Sequence, residues 1–332
     1  MTALEDALEA RLISIDSGSY RDNTELAVSS FIEYLHKQGV DDPDSITVDN
    51  CREYARELRT KSNDGDISAA TAHHYFDVIR AFLSWCVRDG RCGTNPAKRE
   101  AAEEPLPEDI DEPDRQFWSE RERDAILATA DRRVDIALEN DSIDTDRAYR
   151  DRALIYTLTW SGCRGAELVA SKRDSQRNGL TWADIDLENK TLTVLGKSKR
   201  GGSRERQTTP LLTPGVEPLK KWKKRADSVD ERAVFPRMDN AAGDPPGSIS
   251  VHSLSNILEE LCEWSQYTFE DTLKAHGARR RLGDDLYQER AELAQKQLRH
   301  KSIETTNESY ADRQAERQRK AAEEALGLED NE

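Results

Sequence analysis

Four short stretches of the chain carry side chains suited to an anionic substrate. SGCRGAEL sets Arg164 and Glu167 one helical turn apart, so the carboxylate can orient the guanidinium. HGAR sets His276 and Arg279 on one face of a helix, and LRHKSIETTNESY supplies His300 and, ten residues later, Tyr310. VLGKSKR adds Lys197 and Lys199. Guanidiniums are planar, permanently charged and grip phosphate oxygens in a fork. Imidazoles donate hydrogen bonds or exchange protons near neutral pH. Taken singly, these motifs decide little. Any long helix can show His-x-x-Arg, and Tyr310 alone reads better as a core aromatic.

The order Arg, Lys, His-x-x-Arg, His, Tyr resembles the tyrosine recombinase (phage integrase) family, and the likeness covers nearly the whole chain. The stretch ISAATAHHYFDVIRAFLSWCVRDGRCGTNP is similar to the core-binding domain that precedes catalytic domains in that family. The resemblance implies a mainly α fold with a small antiparallel sheet: a helical core-binding domain, then an α+β catalytic domain. It implies site-specific recombination of double-stranded DNA, as integration, excision or resolution. Tyr310 would attack phosphorus and hold the strand as a 3′-phosphotyrosine. Arg164 and Arg279 would bind the non-bridging oxygens, where negative charge grows in the transition state. His276 would hydrogen-bond the same oxygens or exchange a proton with the nucleophile, and His300 would position the phosphate. Lys197 would protonate the leaving 5′-oxygen. With so much fixed positive charge, no metal or other cofactor is expected.

Three departures from the family pattern stand out. The interval from His300 to Tyr310 is one residue longer than usual. One extra residue turns a helical side chain by roughly 100°, so a loop must absorb it or the tyrosine must be delivered differently. Arg299 takes the place of the usual Gly before His300. The insertion-like ASKRDSQRNGLTWADID and the long hairpin GKSKRGGSRERQTTPL leave Lys199 as a rival to Lys197. These differences lean towards a virus- or plasmid-borne integrase over a chromosome-dimer resolvase. Two rivals share the features: a non-catalytic DNA-binding regulator of the same fold, and a topoisomerase IB-like nicking and resealing enzyme. Recombination joins paired sites, so a monomer in solution would assemble as a tetramer on DNA. The tail after Tyr310 would pack on its own or a neighbouring protomer.

The elements that must position these residues fall into two domains. Residues 1–98 read as helical, with Val28, Phe31, Ile32 and Leu35 at helical spacing before a Gly39 stop, and Tyr75, Ile79, Phe82 and Cys86 on another face. Residues 99–115 hold three prolines and many acids with almost nothing to bury, and read as a linker. Residues 116–332 form the catalytic domain. Ser119 and Glu122 have capping-box spacing, and a helix from Tyr156 to Ala170 breaks near Gly162. Strands alternate through Leu180–Leu195 and return at Thr208–Leu212, around the Gly201-Gly202 turn. Helices Ser253–Trp264, Phe269–Leu282 and Glu289–Leu298 follow, with a tail helix from about Asp312 to Leu326.

Charge qualifies this picture. The chain has 332 residues, 65 Asp+Glu against 49 Lys+Arg and a net charge of −16, and 34 of the basic residues are Arg. Nucleic-acid binders usually show a basic balance. Residues 190–225, however, carry 11 basic residues against Glu205 and Glu217, a local +9. Lys199, Arg200, Arg204, Arg206, Lys220 and Lys221 in this island, and Arg280 beside the His-x-x-Arg motif, are the expected DNA contacts. The acidic excess and scarcity of Lys point to a halophilic archaeon or its virus or plasmid, where concentrated salt screens the acidic surface to a few Å. Five dispersed cysteines and an acidic start without a signal-peptide pattern read as a reduced, cytoplasmic protein. No apolar run approaches the roughly 20 residues of a membrane span.

Overall fold

Side-chain caps open three helices of the first unit. Thr2 with Glu5 starts α1 (Ala3–Ile13), Thr47 with Asn50 starts α3 (Val48–Asn63), and Ser68 starts α4 (Ala69–Arg88). Between them runs α2 (Gly18–Lys37). The computed structural model describes residues 2–326 apart from 16–17, 109–115, 141–142, 173, 175, 197–204, 227, 240–242 and 244. The chain divides into two units, Met1–Asp114 and Arg115–Glu332.

In the first unit Val28, Phe31, Ile32 and Leu35 of α2 are buried with Phe76, Ile79, Phe82 and Cys86 of α4. Phe31 meets Tyr54 of α3 edge-on at 4.9 Å. Each such side chain contributes about 1.5–3 kcal/mol by leaving water, so this face accounts for the helical packing. The segment expected to link the domains is partly packed. A short helix α5 (Glu100–Glu103) follows Pro96–Lys98, and Ala102 and Leu106 are buried in the same core. Arg52 donates to the Ala101 carbonyl at 2.9 Å, and Arg80 pairs with Glu103. The two apolar residues, four apart, sit among acids that mask them in the sequence. Residues 109–115 lie outside the described part.

The second unit is α-rich around a small sheet. Its helices are α6 (Glu120–Glu139), α7 (Thr145–Ser161), the single turn α8 (Gly165–Leu168), α9 (Thr213–Arg225), α10 (Val251–Trp264), α11 (Ala275–Glu289), α12 (Ala291–Leu298) and α13 (Ile303–Leu326). The capping box expected at Ser119 forms: Glu122 N–H donates to Ser119 Oγ at 3.1 Å and Ser119 N–H to Glu122 Oε2 at 2.6 Å.

Three strands, β1 (Ile185–Asp186), β2 (Thr191–Leu195) and β3 (Arg206–Pro210), lie antiparallel in that order. The β2–β3 pairing runs from Thr191 opposite Pro210 to Leu195 opposite Arg206. Leu192 and Val194 point into the core beside α7 residues such as Leu154 and Leu158. The strand expected from Leu180 is shorter than its alternation suggests, because Trp182–Asp184 forms a 3-10 turn tied to the 230–232 segment through Trp182 N–H and Ala183 N–H. Several helix bounds also differ from expectation, among them the start of α7, which at Thr145 lies well before Tyr156, and the end of α11, which at Glu289 lies beyond Leu282. Residues 269–274 precede α11 without being helical, and the tail helix starts at Ile303, so Tyr310 sits inside it.

Candidate active site

Helix α7 stops at Gly162, whose φ of 67° reverses the chain. A β-carbon there would lie 3.0 Å from Leu298 Cδ2 and 3.5 Å from Gln297 Cγ, so glycine serves both the turn and the close approach of α12. The reversed chain delivers Arg164 at the start of α8. Its Nη1 lies 3.0 Å from Glu167 Oε1, and its own N–H donates to Glu167 Oε2 at 2.8 Å. Glu167 is buried.

Helix α11 supplies His276 and Arg279. The Arg279 guanidinium is 2% exposed and donates to the carbonyls of Gly162 and Leu298, which joins α11 to the ends of α7 and α12. The start of α11 is held from residues 116–118. Gln116 Oε1 accepts from Lys274 N–H at 2.6 Å, and Trp118 Nε1 donates to the Lys274 carbonyl at 3.1 Å.

Four consecutive residues at the end of α12 each reach a different element. Gln297 Nε2 donates to the carbonyls of Ser161 (2.8 Å) and Pro210 (2.9 Å). The Leu298 carbonyl accepts from Arg279. Arg299 Nη2 lies 2.6 Å from Glu167 Oε2. His300 Nδ1 lies 2.9 Å from the buried hydroxyl of Thr306, so Thr306 fixes that ring.

Tyr310 lies on α13, 3% exposed, against Tyr287 (ring centroids 5.7 Å apart) and Phe117 (6.1 Å). Helix α13 is tied to α11 by ion pairs from Arg317 and Arg313 to the buried Asp284. The helix is unbroken from Ile303 past Tyr310. No loop within that span absorbs the extra residue after His300. Ser309 and Tyr310 both reach the same cavity instead.

That cavity, about 280 Å³, is lined by Phe117, Arg164, His276, Arg279, Arg280, His300, Ser309 and Tyr310. A single water needs about 10–15 Å³ of such space, so a phosphate with its flanking oxygens fits. Burial and the guanidiniums of Arg280, Arg279 and Arg164 lower His276 to about 4. His276 keeps an exposed edge, so the cations act on a ring that burial only partly covers. His300 is likewise lowered to about 4, by burial and then by Arg279, Arg164 and Arg299. Burial lowers Arg279 to about 10 and raises Tyr310 to about 12. At neutral pH the imidazoles are neutral and the phenol protonated, while the guanidiniums keep their charge. Such a set can bind a phosphodiester, and a neutral imidazole can accept the phenol proton.

The structure therefore gathers Arg164, His276, Arg279, His300 and Tyr310 at one cavity. Lys197, Lys199, Arg200 and Arg204 lie outside the described residues. Of the expected DNA contacts, Lys220 and Lys221 are exposed on α9, Arg206 pairs with Asp184, and Arg280 forms part of the cavity wall. Several participants carry no motif. Phe117 lines the cavity, Thr306 holds His300, and Arg177 donates to the carbonyls of Ala166 (2.9 Å) and Gly196 (3.0 Å), at the root of the hairpin loop.

The second unit thus carries a cavity walled by arginine, histidine and tyrosine on a helical scaffold with a three-stranded sheet. Residues 135–317 match the Phage integrase family, and the chain belongs to that family. It is 25% identical over 245 residues to the tyrosine recombinase XerC of Xanthomonas axonopodis pv. citri (strain 306), covering 72% of this chain and 67% of that protein. It is 24% identical over 237 residues to XerC of Xanthomonas campestris pv. campestris (strain B100), covering 70% and 60%. The chain thus spans 60% to 67% of the length of these two relatives. Among solved structures, the Tn1549 transposon integrase (residues 82–397) in complex with circular intermediate DNA superposes with a TM-score of 0.61 at 15% identity, covering 93% of this chain and 95% of that one. The lambda integrase dimer bound to a COC′ core site superposes at 0.60 and 18%, covering 93% and 76%. At these identities the likeness is one of fold.

Proposed function

We propose that this protein is a site-specific DNA recombinase that cuts and rejoins strands through a 3′-phosphotyrosine on Tyr310. The observation that carries this reading is the meeting of Arg164, His276, Arg279, His300 and Tyr310 at one cavity in a member of the phage integrase family. Tyr310 Oη attacks the phosphorus and passes its proton to a neutral imidazole, of which His276 is the candidate. The bond to the 5′-oxygen breaks, and that oxygen takes a proton from Lys197 or Lys199. Arg164 and Arg279 bind the non-bridging oxygens as charge grows on them. Attack by a 5′-hydroxyl on the phosphotyrosine reverses the step and joins the strands.

The finer reading has three parts. Double-stranded DNA is the partner, with the basic island of residues 190–225 and Arg280 contacting phosphates. Two pairs of protomers assemble as a tetramer on paired sites from a monomer in solution. The acidic surface suits concentrated salt in a halophile's cytoplasm, and among the described residues no helix is long and apolar enough to cross a membrane. The domain plan of 1–98, 99–115 and 116–332 would separate DNA binding from chemistry.

A duplex nicked beside the cleavage site tests the chemistry. The wild type should accumulate a covalent protein–DNA adduct without magnesium, and Tyr310→Phe should form none. An adduct with Tyr310→Phe would refute the nucleophile. No adduct with wild type would favour a DNA-binding regulator. Adduct formation without joining of paired sites would favour a nicking and resealing enzyme.

A further inference from the structure

The end of α12 closes as a Schellman turn. His300 N–H donates to the Gln295 carbonyl at 3.0 Å, and Arg299 N–H to the Lys296 carbonyl at 3.2 Å. The residue between must turn left-handed, a position that glycine ordinarily fills because it has no β-carbon. Here that residue is Arg299, with φ of 56°. Among the described residues, the only other non-glycine with positive φ is Lys190, in the turn between β1 and β2. A strained backbone persists where surrounding contacts hold it, and such positions gather at functional sites.

The Arg299 side chain supplies those contacts. It is 8% exposed, and Nη2 pairs with Glu167 Oε2 at 2.6 Å. The other oxygen of Glu167 takes Arg164 Nη1 at 3.0 Å. One buried carboxylate is thus divided between two guanidiniums. Without Arg299, Glu167 would neutralise Arg164 alone. With it, the three groups sum to one positive charge and Glu167 is held from both sides.

We propose that Arg299 is a positioning residue of the phosphate site, fixing Glu167 and through it the Arg164 guanidinium, and keeping this trio cationic for a DNA phosphate. The inference rests on the reading that the cavity receives DNA. A purely structural role predicts the opposite for glycine: Arg299→Gly would relieve the backbone and leave the reaction alone.

The experiment compares wild type, Arg299→Gly, Arg299→Lys, Glu167→Gln and the Arg299→Gly, Glu167→Gln pair in the full chain. Adduct formation on the nicked duplex, affinity for an intact duplex, and thermal midpoint are measured for each. Arg299→Gly should react at least tenfold more slowly and bind duplex at least threefold more weakly, with a midpoint within a few degrees of wild type. Arg299→Lys should recover most of the rate. Adding Arg299→Gly to Glu167→Gln should cost less than a further threefold. A rate and affinity for Arg299→Gly within twofold of wild type would overturn the proposal, as would losses that track a fallen midpoint without recovery by lysine. Should wild type form no adduct, the recombinase reading fails, and duplex affinity still decides the role of Arg299: unchanged binding in Arg299→Gly refutes it.

Discussion

Tyr310 is seated directly over Gly283. A β-carbon built at Gly283 would lie 2.6 Å from Tyr310 Cζ, closer still to its hydroxyl, and 2.5 Å from Leu298 Cδ1. Gly283 lies inside α11, where Ala is ordinarily favoured by about 1 kcal/mol. Here the sign reverses, because overpacking a filled site costs about 1–3 kcal/mol. Gly283→Ala should therefore lower the thermal midpoint, by roughly 2–4 °C per kcal/mol for a unit of this size. It should also slow adduct formation at least tenfold by displacing the ring. Calorimetry and the nicked-duplex assay check both, and a midpoint raised by the substitution would contradict the packing.

Asp284, 1% exposed, is the anchor of α13 on α11. Replacing it with Asn leaves Arg317 and Arg313 without their carboxylate. Hydrogen bonds to charged groups contribute about 1.5–3 kcal/mol, and the partly exposed arginines recover some of that from water. Asp284→Asn should destabilise the second unit by about 1–2 kcal/mol in urea unfolding. It should also raise amide exchange along α13 more than along α7.

The imidazoles set a pH dependence. His276 and His300 titrate at about 4 in the folded chain, against about 6.5 when unfolded. Between those values the unfolded chain binds more protons, so stability rises with pH across the window and is lost as pH falls from about 6.5 to about 4. Thermal midpoints in that range should drop with acid, and less steeply in His276→Asn. NMR titration of wild type should find both rings neutral at pH 6. A phosphate in the cavity should draw their values upward.

Thr306 offers a test of ring orientation. Thr306→Val keeps the shape of a fully buried side chain but removes the hydroxyl 2.9 Å from His300 Nδ1. A hydrogen bond of this kind is worth about 0.5–1.5 kcal/mol. Thr306→Val should slow cleavage about three- to tenfold, with duplex affinity within twofold of wild type. An unchanged rate would mean that His300 is held by its other neighbours.

Much of this was legible before the fold was known. Helical spacing in Val28–Leu35 and Tyr75–Cys86 marked real core faces, and the box at Ser119 formed as written, because caps and apolar periodicity are local. The spacing of Arg164 with Glu167 likewise predicts a contact that lies within one turn. What stayed hidden depends on chain segments far apart. Ala102 and Leu106 are two apolar residues in an acidic stretch, and only the α3–α4 surface makes them core. The short β1 reflects Trp182–Asp184 being drawn into the 230–232 segment rather than into a ladder. Thr306 and Phe117 carry no motif, since a hydroxyl or an aromatic acquires a role only from what faces it. Arg299 was visible as an added charge, but its left-handed backbone and its grip on Glu167 were not.

The tetrapeptide Gln297-Leu298-Arg299-His300 meets β3, α11, α8 and α13 in turn, one residue to each. Such a stretch tolerates no change of length. Inserting or deleting one residue within it would hand β3, α8 and α13 the wrong side chain and α11 the wrong carbonyl at once. Tyr310 lies beyond these four anchors on α13, so the hub works as a ruler: it sets the spacing of His300, Arg279 and Glu167 from one another, and α13 sets the reach of Tyr310.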